Sequence, residues 1–296
     1  MGAKLRVYFI IGPTASGKTD YGIRLAEAVG GEVVSIDSRY FYRGMDIGTA
    51  KPTMEERRGI PHYLIDVAEP DEVWSLGRFI QEADRAFRDI ASRGKVPIAV
   101  GGTGQYVRAL LDGWEVPEGE PDLALRTAVE HWGDAIGGYE LWQALRLLDR
   151  PCADEIDWRN RRRTVRALQH ILQYGVPFSA NRGARECAYD ARVLGMKRDR
   201  GELYARIDAR VDAMFAAGLV DEVRSLLDRG LSPELPSMSA IGYGEVCAYL
   251  RGESSLEEAI ERTKFRTHGF VRRQGSWFHA SDPRIQWVDP DGDLVL

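Results

Sequence analysis

The stretch "IIGPTASGKTDYG", Ile10 to Gly22, limits the possible folds of this 296-residue chain more than any other part of it. Gly12 to Thr19 matches G-x-x-x-x-G-K-[ST] in full. The motif lies between an apolar β-branched run, Val7 to Ile11, and a helical stretch, Lys18 to Val29, closed by Gly30 and Gly31. A strand before and a helix after are the context in which this pattern binds phosphate. Backbone N–H groups at a helix N-terminus and the Lys18 ammonium cradle phosphate oxygens, and the Thr19 hydroxyl can sit on Mg²⁺. Gly12, Pro13, Thr14, Ala15, Ser16, Gly17, Lys18 and Thr19 are therefore the candidate phosphate-chain residues. The pattern is silent about what the phosphate is attached to.

A second β-branched run, Glu32 to Ile36, completes a βαβ opening, which predicts a parallel sheet with a right-handed crossover. Further candidate strands are Tyr63 to Ile65, Val96 to Val100, Arg192 to Gly195 and Ile285 to Val288, and Leu76 to Ser92 reads as an amphipathic helix. Pro, Gly and acids cluster at "GWEVPEGEPD", Gly113 to Asp122, and mark a break. After it Leu123 to Leu172 reads as helix throughout, until "YGVPFSANRG", Tyr174 to Gly183, ends the block. The expected fold is α/β: a P-loop NTPase-like parallel sheet flanked by helices, with an inserted all-helical domain. Residues 1–116 and 190–296 make the core and residues 117–189 the insertion.

Composition excludes several classes. The apolar run Val7 to Ile11 is far too short to span a membrane, so no membrane association is expected. Cys152, Cys187 and Cys247 are odd in number and widely spaced, with no disulfide framework or metal spacing, and a reducing cytoplasm fits them best. The net charge of −5 does not advertise a nucleic-acid binder, but a polyanion needs only one basic face. "WRNRRRTVRALQ", Trp158 to Gln169, carries five arginines and no acid. Arg159, Arg163 and Arg166 fall at i, i+4 and i+7, a cationic stripe suited to phosphates.

A nucleotide hydrolase usually places an Asp after a second strongly apolar strand to hold Mg²⁺. Val96 to Val100 runs into Gly101-Gly102-Thr103 instead. Leu64-Ile65-Asp66 offers an Asp after a weaker run, so hydrolysis and kinase chemistry stay open. Asp37 leaves the carboxyl end of the second strand, the edge to which the first strand delivers the loop. A carboxylate there either caps a turn or accepts a proton from a nucleophile attacking a phosphate-activated centre. Arg206 and Arg210 lie at i, i+4 on one flank of a helix whose apolar face is Leu203, Ile207, Val211 and Met214. His62 has neither a partner carboxylate nor metal spacing and reads as structural.

With the motifs GPTASGKT (Gly12–Thr19), DSR…YRGMDIGTAKP (Asp37–Pro52), PH-LID (Pro61–Asp66), GGTGQY (Gly101–Tyr106), LP-S-IGY (Leu235–Tyr243) and RRQGSWF (Arg272–Phe278), the chain resembles the tRNA dimethylallyltransferase family. The resemblance runs through nearly the whole chain in the right order. It implies that the loop holds the diphosphate of dimethylallyl diphosphate, with Mg²⁺ as cofactor and the anticodon stem-loop of tRNA as partner. The N6 amine of the adenosine 3′ of the anticodon then attacks the prenyl carbon, and pyrophosphate leaves. By family position Asp37 is the base, Thr103 lies near the reacting adenine, and Arg210 contacts the diphosphate. Ser38, Arg39, Tyr40, Arg126, Met238, Ser239, Gly242, Arg272, Arg273 and Gln274 are carried over as tRNA contacts, on a chain expected to be monomeric. The chain departs from the family at Tyr40, where Gln is common, in "EIDWRN", which lacks a His-Pro before Asn, and at His268-Gly269.

Overall fold

The computed structural model describes residues 4–114, 122–182 and 186–296. The described residues fall into two compact units, one from 1–74, 78–111 and 187–296 and the other from 75–77 and 112–186. The insertion boundary expected at residue 117 lies outside the described residues.

The first unit is built on strands β1 (Leu5–Ile11), β2 (Gly31–Ser35), β3 (His62–Tyr63), β4 (Val96–Gly101), β5 (Tyr189–Met196) and β6 (Ile285–Val288). They form one sheet in the order β3-β2-β4-β1-β5-β6, and every adjacent pair is parallel. The helices of this unit are α1 (Lys18–Val29), α2 (Leu76–Ser92) and α3 (Gly104–Leu111), then α8 (Arg200–Ala216), α9 (Leu219–Asp228), α10 (Tyr243–Leu250) and α11 (Leu256–Gly275). Those of the second unit are α4 (Leu123–Ile136), α5 (Gly138–Leu148), α6 (Arg150–Asp154) and α7 (Arg161–Tyr174).

The last five residues of β1 are buried, as a central parallel strand covered on both faces requires. On one face Tyr8 and Ile10 pack with Tyr21 and Leu25 of α1 and with Val33, Ile98 and Val100 of the neighbouring strands. On the other, Phe9 meets Phe87 of α2 edge-on at 6.3 Å, and Phe87 meets Tyr189 at 5.4 Å. The register then fixes the functional edge. Ile11 pairs with both Gly101 and Gly195, and Ser35 pairs with Val100, so four strands end level with one another. From β1 the chain crosses to β2 on one side, while β5 lies on the other. Such a switch point is where open α/β sheets bind ligands.

The strands expected from sequence are present, with two differences. β3 stops at Tyr63 because Leu64 and Asp66 take left-handed conformations (φ 59° and 57°) that leave the extended region. β5 starts at Tyr189, ahead of Arg192, because its ring packs on Phe9 and Phe87. The block from Leu123 to Leu172, expected to be helical throughout, is made of four helices. Gly137 at φ 97° ends α4, Asp149 caps α6 with Pro151 in its first turn, and Asn160 caps α7. Val129, Leu141, Leu145, Cys152, Val165 and Leu168 form the core of this unit.

The segment after β2 is anchored by an aromatic stack. Phe41 is fully buried, 4.7 Å from Trp74 and 6.0 Å from Tyr106 between ring centroids, and Tyr106 stacks on Phe79 at 4.0 Å. Phe41→Ala should destabilise the protein by about 3–5 kcal/mol, the usual cost of emptying an aromatic site in a core. Urea unfolding measures it, and a loss below about 1 kcal/mol would mean that the stack does not hold this segment.

Candidate active site

The loop after β1 is shaped by backbone conformations that leave N–H groups without internal partners. Gly17 (φ 93°) caps α1, and Ala15 sits at φ 61°, a conformation that costs a non-glycine residue about 1–3 kcal/mol and is concentrated at functional sites. The amides of Ala15, Gly17, Lys18 and Thr19 have no acceptor among the described residues, as at any uncapped helix start. The Thr14 amide differs, since it donates to Oε1 of Gln274 at 2.9 Å. The Ser16 hydroxyl is fully buried and has no hydrogen-bond partner among the described residues.

Lys18 Nζ donates to the Pro13 carbonyl at 2.8 Å. Burial pulls its ammonium down to about 8; the Asp37 carboxylate works against that fall and Arg210 adds to it. All three charges therefore act on one another at the carboxyl edge of β1 and β2. Asp37 Oδ1 accepts the Arg39 amide at 3.0 Å, which closes the turn after β2, and Oδ2 makes no hydrogen bond among the described residues. Thr103, after the Gly101-Gly102 turn of β4, accepts the Ser38 amide at 3.1 Å. The Tyr40 phenol donates to the Ala50 carbonyl at 2.8 Å and lies within hydrogen-bond reach of Thr19. Burial, then Asp37, raise its pKa, so it stays protonated.

Arginines on and before α8 brace the loop from behind. Arg206 Nε donates to the Ala15 carbonyl at 3.1 Å. Arg198 Nε donates to the Ser16 carbonyl at 3.1 Å, its side chain only 5% exposed and paired with Glu202 and with Asp291 at 2.8 Å. Composition gives no signal for Arg198, which lies between a strand and a helix among many arginines. Its role comes from contacts remote in sequence.

The segment that carries Asp37 continues into MDIGTAKP, and two charges hold that loop. Glu222 of α9 accepts three consecutive amides, of Asp46 (2.9 Å), Ile47 (2.7 Å) and Gly48 (3.1 Å), and the Tyr243 phenol at 2.6 Å. Lys51, with a side chain 3% exposed, donates to the Tyr42 carbonyl and pairs with Asp66 at 2.6 Å and with Asp46. Asp66 is thus a partner of Lys51 through Oδ1.

The remaining expected contacts fall into two sets. Arg39, Ser239, Arg272 and Arg273 reach the surface, and Arg39 donates to the carbonyls of Pro236 (2.9 Å) and Ser237 (3.2 Å) and to the Ser239 hydroxyl (3.3 Å). Met238, Gly242 and Gln274 are buried. Met238 packs inward from a short 3₁₀ turn, Ser237–Ser239, and Gln274 spends both ends of its amide inside the protein, its Nε2 donating to the Gly102 carbonyl at 2.9 Å. In the helical unit Arg126 donates to Gln169 at 3.2 Å. The arginine stripe is shorter than the spacing suggests. Arg159 precedes α7, in a turn where Asp157 accepts its amide at 2.9 Å, and its guanidinium lies over the Trp158 ring. Arg161 pairs with Asp134 at 2.6 Å, while Arg162, Arg163 and Arg166 are exposed on the helix.

Among the described residues no group of His, Cys, Asp or Glu could hold a metal ion by itself. The Thr19 hydroxyl beside open loop amides fits a hydrated Mg²⁺ carried chiefly by ligand phosphates, the usual way that ion binds. The geometry as a whole provides an anion cradle, an ammonium and a carboxylate with one unused oxygen. Glu222→Ala should cost at least about 1–3 kcal/mol, because three amides and a phenol lose one acceptor. Denaturant titration checks this, and unchanged stability would show that the loop is held elsewhere.

Residues 40–281 match the family described as IPP transferase, and residues 5–70 match the one described as isopentenyl transferase. A tRNA dimethylallyltransferase of Roseiflexus castenholzii is 49% identical over 97% of this chain and 94% of its own length. One from Thermomicrobium roseum is 45% identical over 98% of this chain and 88% of its own. Among solved structures, the tRNA isopentenylpyrophosphate transferase of Bacillus halodurans superposes with a TM-score of 0.71 at 39% identity, covering 98% of this chain and 92% of that one. A eukaryotic dimethylallyltransferase acting on tRNA reaches a TM-score of 0.82 at 28% identity, over 96% of this chain and 74% of that one. These relatives share sequence and fold with the chain along almost its whole length, and the chain belongs to the IPP transferase family.

Proposed function

We propose that this protein transfers a dimethylallyl group from dimethylallyl diphosphate to N6 of the adenosine 3′-adjacent to the anticodon in tRNA, releasing pyrophosphate. The observation that carries this reading is Asp37, a carboxylate with one oxygen unused among the described residues, held beside the phosphate loop. The names of the relatives, all transferases of this kind, support it.

The exocyclic amine of adenine is a poor nucleophile because its lone pair is delocalised into the ring. As the N6–C1 bond forms and the C1–O bond of the donor breaks, the nitrogen becomes acidic, and Asp37 Oδ2 takes its proton. The electron pair of the broken bond leaves on the diphosphate. Lys18, Arg210 and the open amides of Ala15, Gly17, Lys18 and Thr19 are preorganised donors for that growing charge. Thr19 is the residue to hold Mg²⁺, which when bound neutralises part of the diphosphate charge. Thr103, tied to the Ser38 amide, borders the adenine. Ser38, Arg39, Tyr40 and Ser239 contact the target nucleotide and its neighbours. Chemistry on a base requires it to leave the stack, and single-stranded loops are read in that way. Arg272 and Arg273, with Arg126, Arg159, Arg163 and Arg166 of the helical unit, supply cations for tRNA phosphates.

Mass spectrometry of tRNA nucleosides, after incubation with dimethylallyl diphosphate and Mg²⁺, tests the reaction. A five-carbon prenyl addition on the adenosine beside the anticodon is expected, and unmodified tRNA would overturn the assignment. In the same assay Asp37→Ala should lower kcat roughly 10²–10⁴-fold with little change in tRNA affinity, the range for loss of a general base.

The depressed Lys18 predicts a pH dependence of donor binding. A bound diphosphate favours the charged ammonium and raises its pKa, so binding takes up a proton above the free value of about 8. Affinity for dimethylallyl diphosphate should be level below that pH and decline above it, toward the ordinary lysine range. Calorimetric titration of wild type and Lys18→Arg across this window checks it: the Arg variant, charged throughout, should show no decline. A level profile in the wild type would mean that Lys18 is not the cation of the site.

A further inference from the structure

We propose that Gln274 is a positioning residue for the transfer reaction, fixing the phosphate loop against the turn that carries Thr103. This rests on the transferase reading above and assigns Gln274 a role other than tRNA contact. Its amide lies at the end of α11, 5% exposed, with both heteroatoms committed at 2.9 Å: Oε1 accepts the Thr14 amide, and Nε2 donates to the Gly102 carbonyl. A side chain so enclosed has no surface to offer a nucleic acid. Arg272 and Arg273, two and one residues earlier, are exposed.

The joint is tight. A Cβ on Gly102 would stand 2.6 Å from Gln274 Nε2 and 2.7 Å from the Gly12 carbonyl, so the two loops touch with no room for a side chain. The primary amide suits this place because it is a neutral group with an acceptor and a donor on separate atoms of one planar head. A carboxylate would face the Gly102 carbonyl with a second acceptor, and an aliphatic chain would leave a buried N–H and a buried carbonyl unpaired. The hydrogen bond also has a selective consequence within the cradle. Thr14 is withdrawn from the anion by this bond, as Ser16 is by the Pro13 carbonyl at 3.4 Å, so the diphosphate is met by the amides of Ala15, Gly17, Lys18 and Thr19. The same bond sets the separation between that cradle and Thr103, beside which the acceptor base must lie.

The test compares wild type with Gln274→Met, which is close in shape but has no amide. The variant is expected to raise KM for dimethylallyl diphosphate roughly tenfold or more and to lower kcat, as the loss of buried polar pairing implies. Binding of an anticodon stem-loop without the diphosphate should be unchanged. Weaker stem-loop binding with an unaltered donor KM would make Gln274 a tRNA contact and overturn the proposal. A lower melting temperature with unaltered kcat and KM would reduce it to a structural residue and also overturn it. Hydrogen exchange of the Thr14 amide in ligand-free wild type is the second measurement, needed if the variant does not fold. Protection is expected, and rapid exchange overturns the joint itself. That result does not depend on prenyl transfer, so a failed transferase assay and a failed joint are distinguishable.

Discussion

An ammonium and a carboxylate kept side by side at the carboxyl edge of a parallel sheet are the constraint on which the rest of this structure depends. Lys18 opens the helix after β1 and Asp37 follows β2, and the register that ends β1, β2 and β4 level with one another brings them to one edge. Neither charge is cancelled in a closed pair. Lys18 is spent on the Pro13 carbonyl, and Asp37 turns one oxygen to the Arg39 amide and keeps the other. Partial burial depresses the ammonium, so part of its affinity for charge is held in reserve for an anion.

Holding those groups still takes more of the chain than the groups themselves. Arg198, just before α8, Arg206 of α8 and Gln274 of α11 tie down three successive residues of the phosphate loop, Ser16, Ala15 and Thr14. Phe41, Glu222 and Lys51 do the same for the segment that follows Asp37. Catalysis by preorganised charge requires donors that do not reorganise as the leaving group departs, and these ties supply that rigidity. The loop with strained Ala15 and an unpartnered Ser16 hydroxyl is stable only inside such a frame.

The sheet was legible because it rests on local signals. Six apolar runs, a glycine-rich loop at the first and turn formers between them suffice to order the core; five became strands, and of the run Tyr63 to Ile65 only Tyr63 did. The phosphate loop and Asp37 were legible for the same reason: their chemistry is written in adjacent residues. What sequence hides is side-chain partnership across long separations. Nothing near Glu222 announces three amides from residues 46–48, and nothing near Lys51 shows that it pairs with Asp66. Gln274 looks like part of an exposed RRQ motif until helix phase turns it inward. Spacing alone also overstated the arginine stripe, since Asp157 and Asn160 start α7 only after Arg159.

A phosphate loop most often serves nucleotide hydrolysis, where a metal-holding acid and an attacking water complete the site. Here Asp66 is paired with Lys51, and Asp37 keeps one oxygen without a hydrogen bond among the described residues, as the proposed proton removal requires. The loop then acts on a leaving group, not on a phosphoryl group under attack. Pyrophosphate and inorganic phosphate, assayed together with prenylated adenosine in one reaction containing dimethylallyl diphosphate, an anticodon stem-loop and ATP, separate these directly. One pyrophosphate per prenyl group transferred, with ATP intact, is the result this account predicts. Phosphate release from ATP coupled to modification would contradict it.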